Sequence, residues 1–388
     1  MATLTHTRSR MAALLELGQS IWLDYLRRGM IRSGELAGLI DAGLRGMTSN
    51  PTIFEQGIAE DDDYDEALAH LATSGRTDAE IFEAVAVADV RSAADLFRPV
   101  YDQSNGGDGF VSIEVSPALA RDTHGSIAEA ERLWRAVDRP NVMIKIPGTA
   151  EGWPAIEQCL AAGININITL LFSVQHYLKV AEAYLAALEA RLARGEPIHR
   201  VASVASFFVS RVDTEVDARL GKINEPEAKE LSGTIGIANA RLAYAAYQDV
   251  FLGGDRYEPL KSNGARVQRP LWASTGIKNP DYSDTLYVTG LVAPNTVNTM
   301  PARTLDAVAD HGVITGDTVT GRASEAQEVF DKLEAVGVDL TDVLIVLEDE
   351  GVEKFAKSWR YLLEATQGQL DAVTKQSQVY PPLSRKRG

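Results

Sequence analysis

Short runs of β-branched and aromatic residues alternate with longer stretches whose apolar positions recur every three to four residues, and this rhythm holds through most of the chain. The short runs predict eight strands, at residues 20–24, 44–49, 109–116, 141–147, 164–170, 201–208, 270–274 and 285–291. Helical spacing fills the intervals at 79–101, 127–137, 153–162, 173–194 and 228–251. It returns after the eighth run at 323–336 and 350–373. The segment 253–268, rich in Gly, Pro and Asn, reads as the longest loop-like excursion. Pro51 is placed to open a helix at its first position.

Strand–helix alternation implies parallel strands joined by right-handed crossovers. Eight such units favour a closed (β/α)8 barrel over an open sheet, with additional helices at about 300–375 and one domain over 1–388. No GxGxxG follows the first strand and no GxxxxGK[ST] occurs, so neither dinucleotide nor P-loop chemistry is signalled.

Composition narrows the partners. Over 388 residues, 38 Lys+Arg against 54 Asp+Glu leave a formal charge of −16, which disfavours nucleic acid and anionic membrane surfaces. Cys159 is the single cysteine and the six histidines lack HxH or HExxH spacing, so neither a disulfide nor a metal site is expected. No apolar run approaches the roughly 20 residues of a membrane span, and no signal peptide is apparent. A cytoplasmic chain without cofactor is the expectation, with frayed ends at the start and at 381–388.

In a barrel, chemistry sits where the strands end. The run Asn141-Val-Met-Ile-Lys-Ile-Pro147 puts Met143 and Lys145 on one face, Val142, Ile144 and Ile146 on the other, and ends at Pro147-Gly148. An amine on a covered strand gives up hydration, which favours its uncharged, nucleophilic form toward a carbonyl. An edge strand with a protective lysine fits the same run. Asp24 and Glu114 also fall near strand ends, where carboxylates in a low-dielectric pocket can shuttle protons. Their plainer readings are a cap for Asp24 and an arginine pair for Glu114. Asn165, Asn167 and Thr169 share one face of a strict alternation, which suits a polar lumen holding a polyol or, equally, a solvated face. Asn50 closes the second strand as a ligand or a helix cap, and Ser206-Phe-Phe-Val-Ser-Arg211 ends the sixth with a guanidinium. Ser274, Gly276 and Lys278 end the seventh, and with Arg211 they make up the inventory a phosphate requires.

Five motifs in order, TSNPT, SIEVSP, MIKIPGT, NINITLLFS and RPLWASTG, resemble the transaldolase family, in its longer bacterial subgroup, from Trp22 to Asn298. The resemblance implies a (β/α)8 barrel and metal-independent transfer of a dihydroxyacetone unit through a lysine Schiff base, in the pentose phosphate pathway. Sedoheptulose 7-phosphate or fructose 6-phosphate would be the donor, erythrose 4-phosphate or glyceraldehyde 3-phosphate the acceptor. It implies Lys145 as the Schiff-base lysine, Asp24 as acid/base, and Glu114 with Thr169 as holders of the catalytic water. Asn50, Asn167 and Ser206 would bind the dihydroxyacetone part, and Arg211 and Ser274 the phosphate. The family's arginine two residues after that serine is absent, Gly276 standing there, so Lys278 is assigned as the second phosphate cation. Related fructose-6-phosphate aldolases tend to carry glutamine and tyrosine where Glu114 and Phe208 stand, which favours transfer. A catalytically silent barrel is the alternative from another class. A monomer or homodimer is expected.

Overall fold

The computed structural model describes residues 10–50, 52–54, 62–72 and 75–379. Pro51 and the terminal stretches at 1–9 and 380–388 lie outside them. Eight strands are present: β1 (Gln19–Asp24), β2 (Gly46–Thr48), β3 (Phe110–Glu114), β4 (Val142–Pro147), β5 (Ile166–Leu171), β6 (Ser203–Phe208), β7 (Arg269–Ala273) and β8 (Thr296–Met300). Each pairs in parallel with the next, and β8 returns to β1, closing a (β/α)8 barrel. Closure removes every sheet edge, so the protective edge-lysine reading of Lys145 does not apply.

The surrounding helices include α1 (Glu35–Ala42), α2 (Asp78–Gln103), α3 (Thr123–Val137), α4 (Gly152–Ala161), α5 (Val174–Ala193), α6 (Ser210–Leu220), α7 (Ile235–Phe251), α8 (Leu286–Thr289), α9 (Ala302–His311), α10 (Ala323–Ala335) and α11 (Leu340–Val379). Three of their starts carry side-chain caps. Thr77 and Glu80 form a reciprocal capping box at α2, and Asp122 and Ser173 cap α3 and α5 with their side chains.

Alternation along the strands sorts residues between two cores. Val142, Ile144 and Ile146 of β4 pack outward with the helices, whereas Met143 joins Trp22, Phe110, Val204, Leu271 and Val297 inside the barrel. Gly46 is required here, because a Cβ on it would come within 2.5 Å of the Trp22 indole. This apolar layer fills the lumen, leaving the polar residues of the strands' carboxyl ends above it.

Four expectations need correction. The eighth strand is Thr296–Met300, not 285–291, which carries the helical turn α8. Tyr287 anchors that turn by donating to Asp213 Oδ2 at 2.7 Å, overriding the β-like composition of Thr-Leu-Tyr-Val-Thr. The stretch 228–251 is two helices, Pro226–Glu230 and α7, separated by a turn with Gly233 at φ +73°. The excursion at 253–268 holds a helix, Tyr257–Ser262. The final helix also starts earlier than expected, at Leu340.

No helix among the described residues is long and apolar enough to cross a membrane.

Candidate active site

The strand register places Glu114 beside Lys145 on one side and Asn167 beside it on the other. Lys145 and Glu114 are both buried, with side chains 6% and 3% exposed, and Lys145 Nζ lies 3.1 Å from Glu114 Oε2. The arginine partner foreseen for Glu114 is replaced by this lysine. The approach is an ion-pair contact, and neither Glu114 oxygen receives a well-aligned hydrogen bond. Burial pushes the Glu114 carboxyl above its ordinary range, with Lys145 pulling the other way and Asp24 adding to the rise. Lys145 Nζ also donates to the Ser49 carbonyl at 3.3 Å and stands 5.6 Å from the centre of the Phe355 ring.

Next to Lys145 a cavity of about 1210 Å³ opens at the carboxyl ends of the strands; Glu114 stands behind the lysine and does not line it. Asp24, Asn50, Lys145, Thr169, Ser206, Phe208, Arg211, Ser274 and Lys278 all line it. Asp24 accepts from Thr48 Oγ1 at 2.6 Å, and Thr48 in turn meets Thr299 Oγ1 at 2.9 Å, a hydroxyl chain that fixes the carboxylate. Thr169 Oγ1 is buried and has no hydrogen-bond partner, like the Glu114 oxygens two strands away. Asn50 acts as the cap foreseen for it, its Oδ1 accepting from Ile53 N at 3.1 Å, and the residue lines the cavity.

Asn167 lies beneath the cavity and does not line it. It donates to Ser112 Oγ at 3.0 Å and accepts from Ser206 Oγ at 2.6 Å, so it orients the serine that does reach the cavity. Asn165 is spent on backbone, donating to Pro140 O and Val142 O and accepting from Ala202 N. The solvated-face reading of this strand falls, since Asn165, Asn167 and Thr169 are all buried.

At the other end, Arg211 stacks its guanidinium 5.0 Å from the Phe208 ring centre and 5.7 Å from that of Phe355. Burial lowers its pKa, while Asp24, Glu114 and Glu350 act in the opposite sense. Ser274 adopts φ +55°, a left-handed conformation uncommon for serine, and its hydroxyl meets Ser210 Oγ at 2.8 Å.

Sequence reasoning missed one wall. Helix α11 crosses the barrel mouth and lines the cavity with Glu350, Lys354, Phe355, Ser358 and Tyr361. It is pinned by His176 to Glu348 at 2.9 Å, by Arg219 to Asp342 at 2.7 Å and by Thr52 to Ser358 at 2.8 Å. The available signal was the spacing of Glu350, Lys354, Ser358 and Tyr361, which repeats on one helical face.

Fold and site together define a (β/α)8-barrel enzyme with a buried lysine–carboxylate pair at its catalytic end. Residues 21–366 match the sequence profile described as transaldolase/fructose-6-phosphate aldolase. The chain is 57% identical to a transaldolase of Mycolicibacterium paratuberculosis over 373 residues, covering 96% of this chain and 100% of that one. It is 56% identical to a transaldolase of Mycobacterium tuberculosis over the same share of both chains. With a transaldolase of Mycobacterium marinum it shares 57% over 366 residues, 94% of this chain and 98% of the other. The chain therefore belongs to the transaldolase/fructose-6-phosphate aldolase family, as an enzyme of the transaldolase kind.

Proposed function

We propose that the protein transfers a dihydroxyacetone unit between phosphorylated sugars through an imine on Lys145, as in the pentose phosphate pathway. The observation that carries this reading is the sheltered Lys145 amine 3.1 Å from a buried carboxyl, facing a polar cavity. For attack, Lys145 must release a proton, and Glu114, made more basic by burial, is the adjacent acceptor. The free amine adds to the ketose carbonyl, and loss of water leaves a protonated imine.

Asp24 then takes the proton of the hydroxyl beside the bond to be cleaved. That bond breaks, its electron pair enters the imine as an enamine, and the first aldose leaves. The enamine carbon attacks the acceptor aldehyde, Asp24 returns its proton to the new hydroxyl, and water hydrolyses the imine. Thr169 Oγ1 and the Glu114 oxygens, each without a hydrogen-bond partner, suit the holding of that water. Ser206 and Asn50 suit the hydroxyls of the retained unit, and Arg211, Ser274 and Lys278 its phosphorylated partner. The cytoplasm is the matching compartment.

Borohydride reduction with fructose 6-phosphate tests the reading. A covalent adduct is expected on the peptide holding Lys145 and absent in Lys145→Ala; no adduct on the intact protein would leave a silent barrel. Release of free dihydroxyacetone without acceptor, as fast as transfer, would make the protein an aldolase instead.

A further inference from the structure

The cavity wall contributed by α11 contains two cations, Lys354 and Lys357, that none of the barrel motifs foretells. Lys354, Arg211 and Lys278 all line the same cavity, and among the described residues none of them lies within ion-pair distance of a carboxylate. Arg211 rests against two aromatic rings instead of an acid. Both other cations of this trio act on Lys354, which is held below its ordinary range first by Arg211, then by burial, then by Lys278. Like charges gathered in a partly desolvated pocket cost free energy, and a bound dianion relieves that cost.

The backbone is shaped to allow the approach. Gly351 stands one turn before Lys354 on α11, and a Cβ there would lie 3.0 Å from Leu170 Cδ2 and 3.6 Å from Arg211 Nη1. A larger residue would push this part of the helix away from the mouth. At the end of β7, Gly276 offers no side chain, and its position faces Pro301 Cγ at 3.1 Å from an added Cβ, so a long cation has little room to enter there.

From this geometry we infer that Lys354 is a phosphate-binding residue, delivered across the barrel mouth by the C-terminal helix to complete a site with Arg211, Ser274 and Lys278. The inference rests on the reading that the cavity takes phosphorylated sugars. It adds that the phosphate grips both the barrel and α11, which also places Phe355 over Lys145 and Arg211.

The test uses the full chain with Lys354→Met, which keeps the stem, and Lys354→Arg, which keeps the charge. For Lys354→Met, KM for fructose 6-phosphate and the inhibition constant for inorganic phosphate should both rise roughly tenfold or more, the scale of one charge-assisted hydrogen bond. Lys354→Arg should recover most of the loss. Borohydride capture of unphosphorylated dihydroxyacetone should stay within about twofold of wild type, showing that the lysine centre is intact. A Lys354→Met protein with KM and phosphate inhibition both within twofold of wild type overturns the inference. If the wild type shows no transfer at all, the proposed reaction fails, while calorimetric titration of wild type and Lys354→Met with inorganic phosphate still decides whether Lys354 binds the anion.

Discussion

The contact between Lys145 and Glu114 can be measured without any substrate. At 3.1 Å, opposite unit charges attract by about 5 kcal/mol for an effective dielectric of about 20. Desolvation of both groups offsets much of this, because their side chains are only 6% and 3% exposed. Removing one partner should thus cost roughly 3–5 kcal/mol, and replacing both should cost far less. The set is Lys145→Met, Glu114→Met and the double variant, each unfolded in urea at pH 7. Each single variant should lose stability on that scale, while the double variant returns to within about 1 kcal/mol of wild type or exceeds it. In Lys145→Met the remaining carboxyl loses its cation and moves further above its unfolded value. The folded state then holds the proton more tightly, so that variant's deficit should shrink as the pH is lowered. A coupling energy below about 0.5 kcal/mol, the scatter of independent sites, would refute a direct pair and with it the proton path assigned to Glu114.

Three further outcomes are expected. Asp24→Asn should lower turnover by about 10²–10⁴-fold with imine capture retained, and a loss under roughly tenfold would remove Asp24 from proton transfer. Arg211→Ala should raise KM for phosphorylated donors and leave capture of unphosphorylated dihydroxyacetone intact; unchanged KM would take Arg211 out of the phosphate site. Asp213, pushed up to about 6 mainly by burial, binds its proton more tightly in the folded state than in the unfolded one, where it sits near 3.8. Its contribution, about 3 kcal/mol, is present below about pH 4 and lost as pH rises through about 6. Asp213→Asn should flatten that part of the stability–pH curve measured by thermal melts.

The barrel was legible because its signals are local. Alternation in Val142–Pro147 is enough to put Met143 and Lys145 on one face, and the lumen takes them as expected. Consecutive parallel strands put β3 beside β4, and the observed register then sets Glu114 opposite Lys145. Strand eight was misplaced because Thr285–Leu291 has β-like residues whose fate is decided by a distant partner, Asp213. The true strand, Thr296–Met300, is short and carries Asn298, which faces outward and donates to Tyr287 O at 3.2 Å. Asn167 looked like a ligand because a buried amide needs partners; its partners proved to be Ser112 and Ser206. Lys354 was out of reach for a related reason. A lysine on an amphipathic helix is ordinary until packing lays that helix over a cavity.

The plug of Trp22, Phe110, Met143, Val204, Leu271 and Val297 stops the barrel beneath Lys145, so among the described residues the cavity is reached from the carboxyl ends of the strands. Under the proposed transfer both sugars use that same face, so the departing aldose is expected to clear it before its successor enters. In steady-state kinetics such queuing appears as parallel double-reciprocal lines when one sugar is varied at several levels of the other.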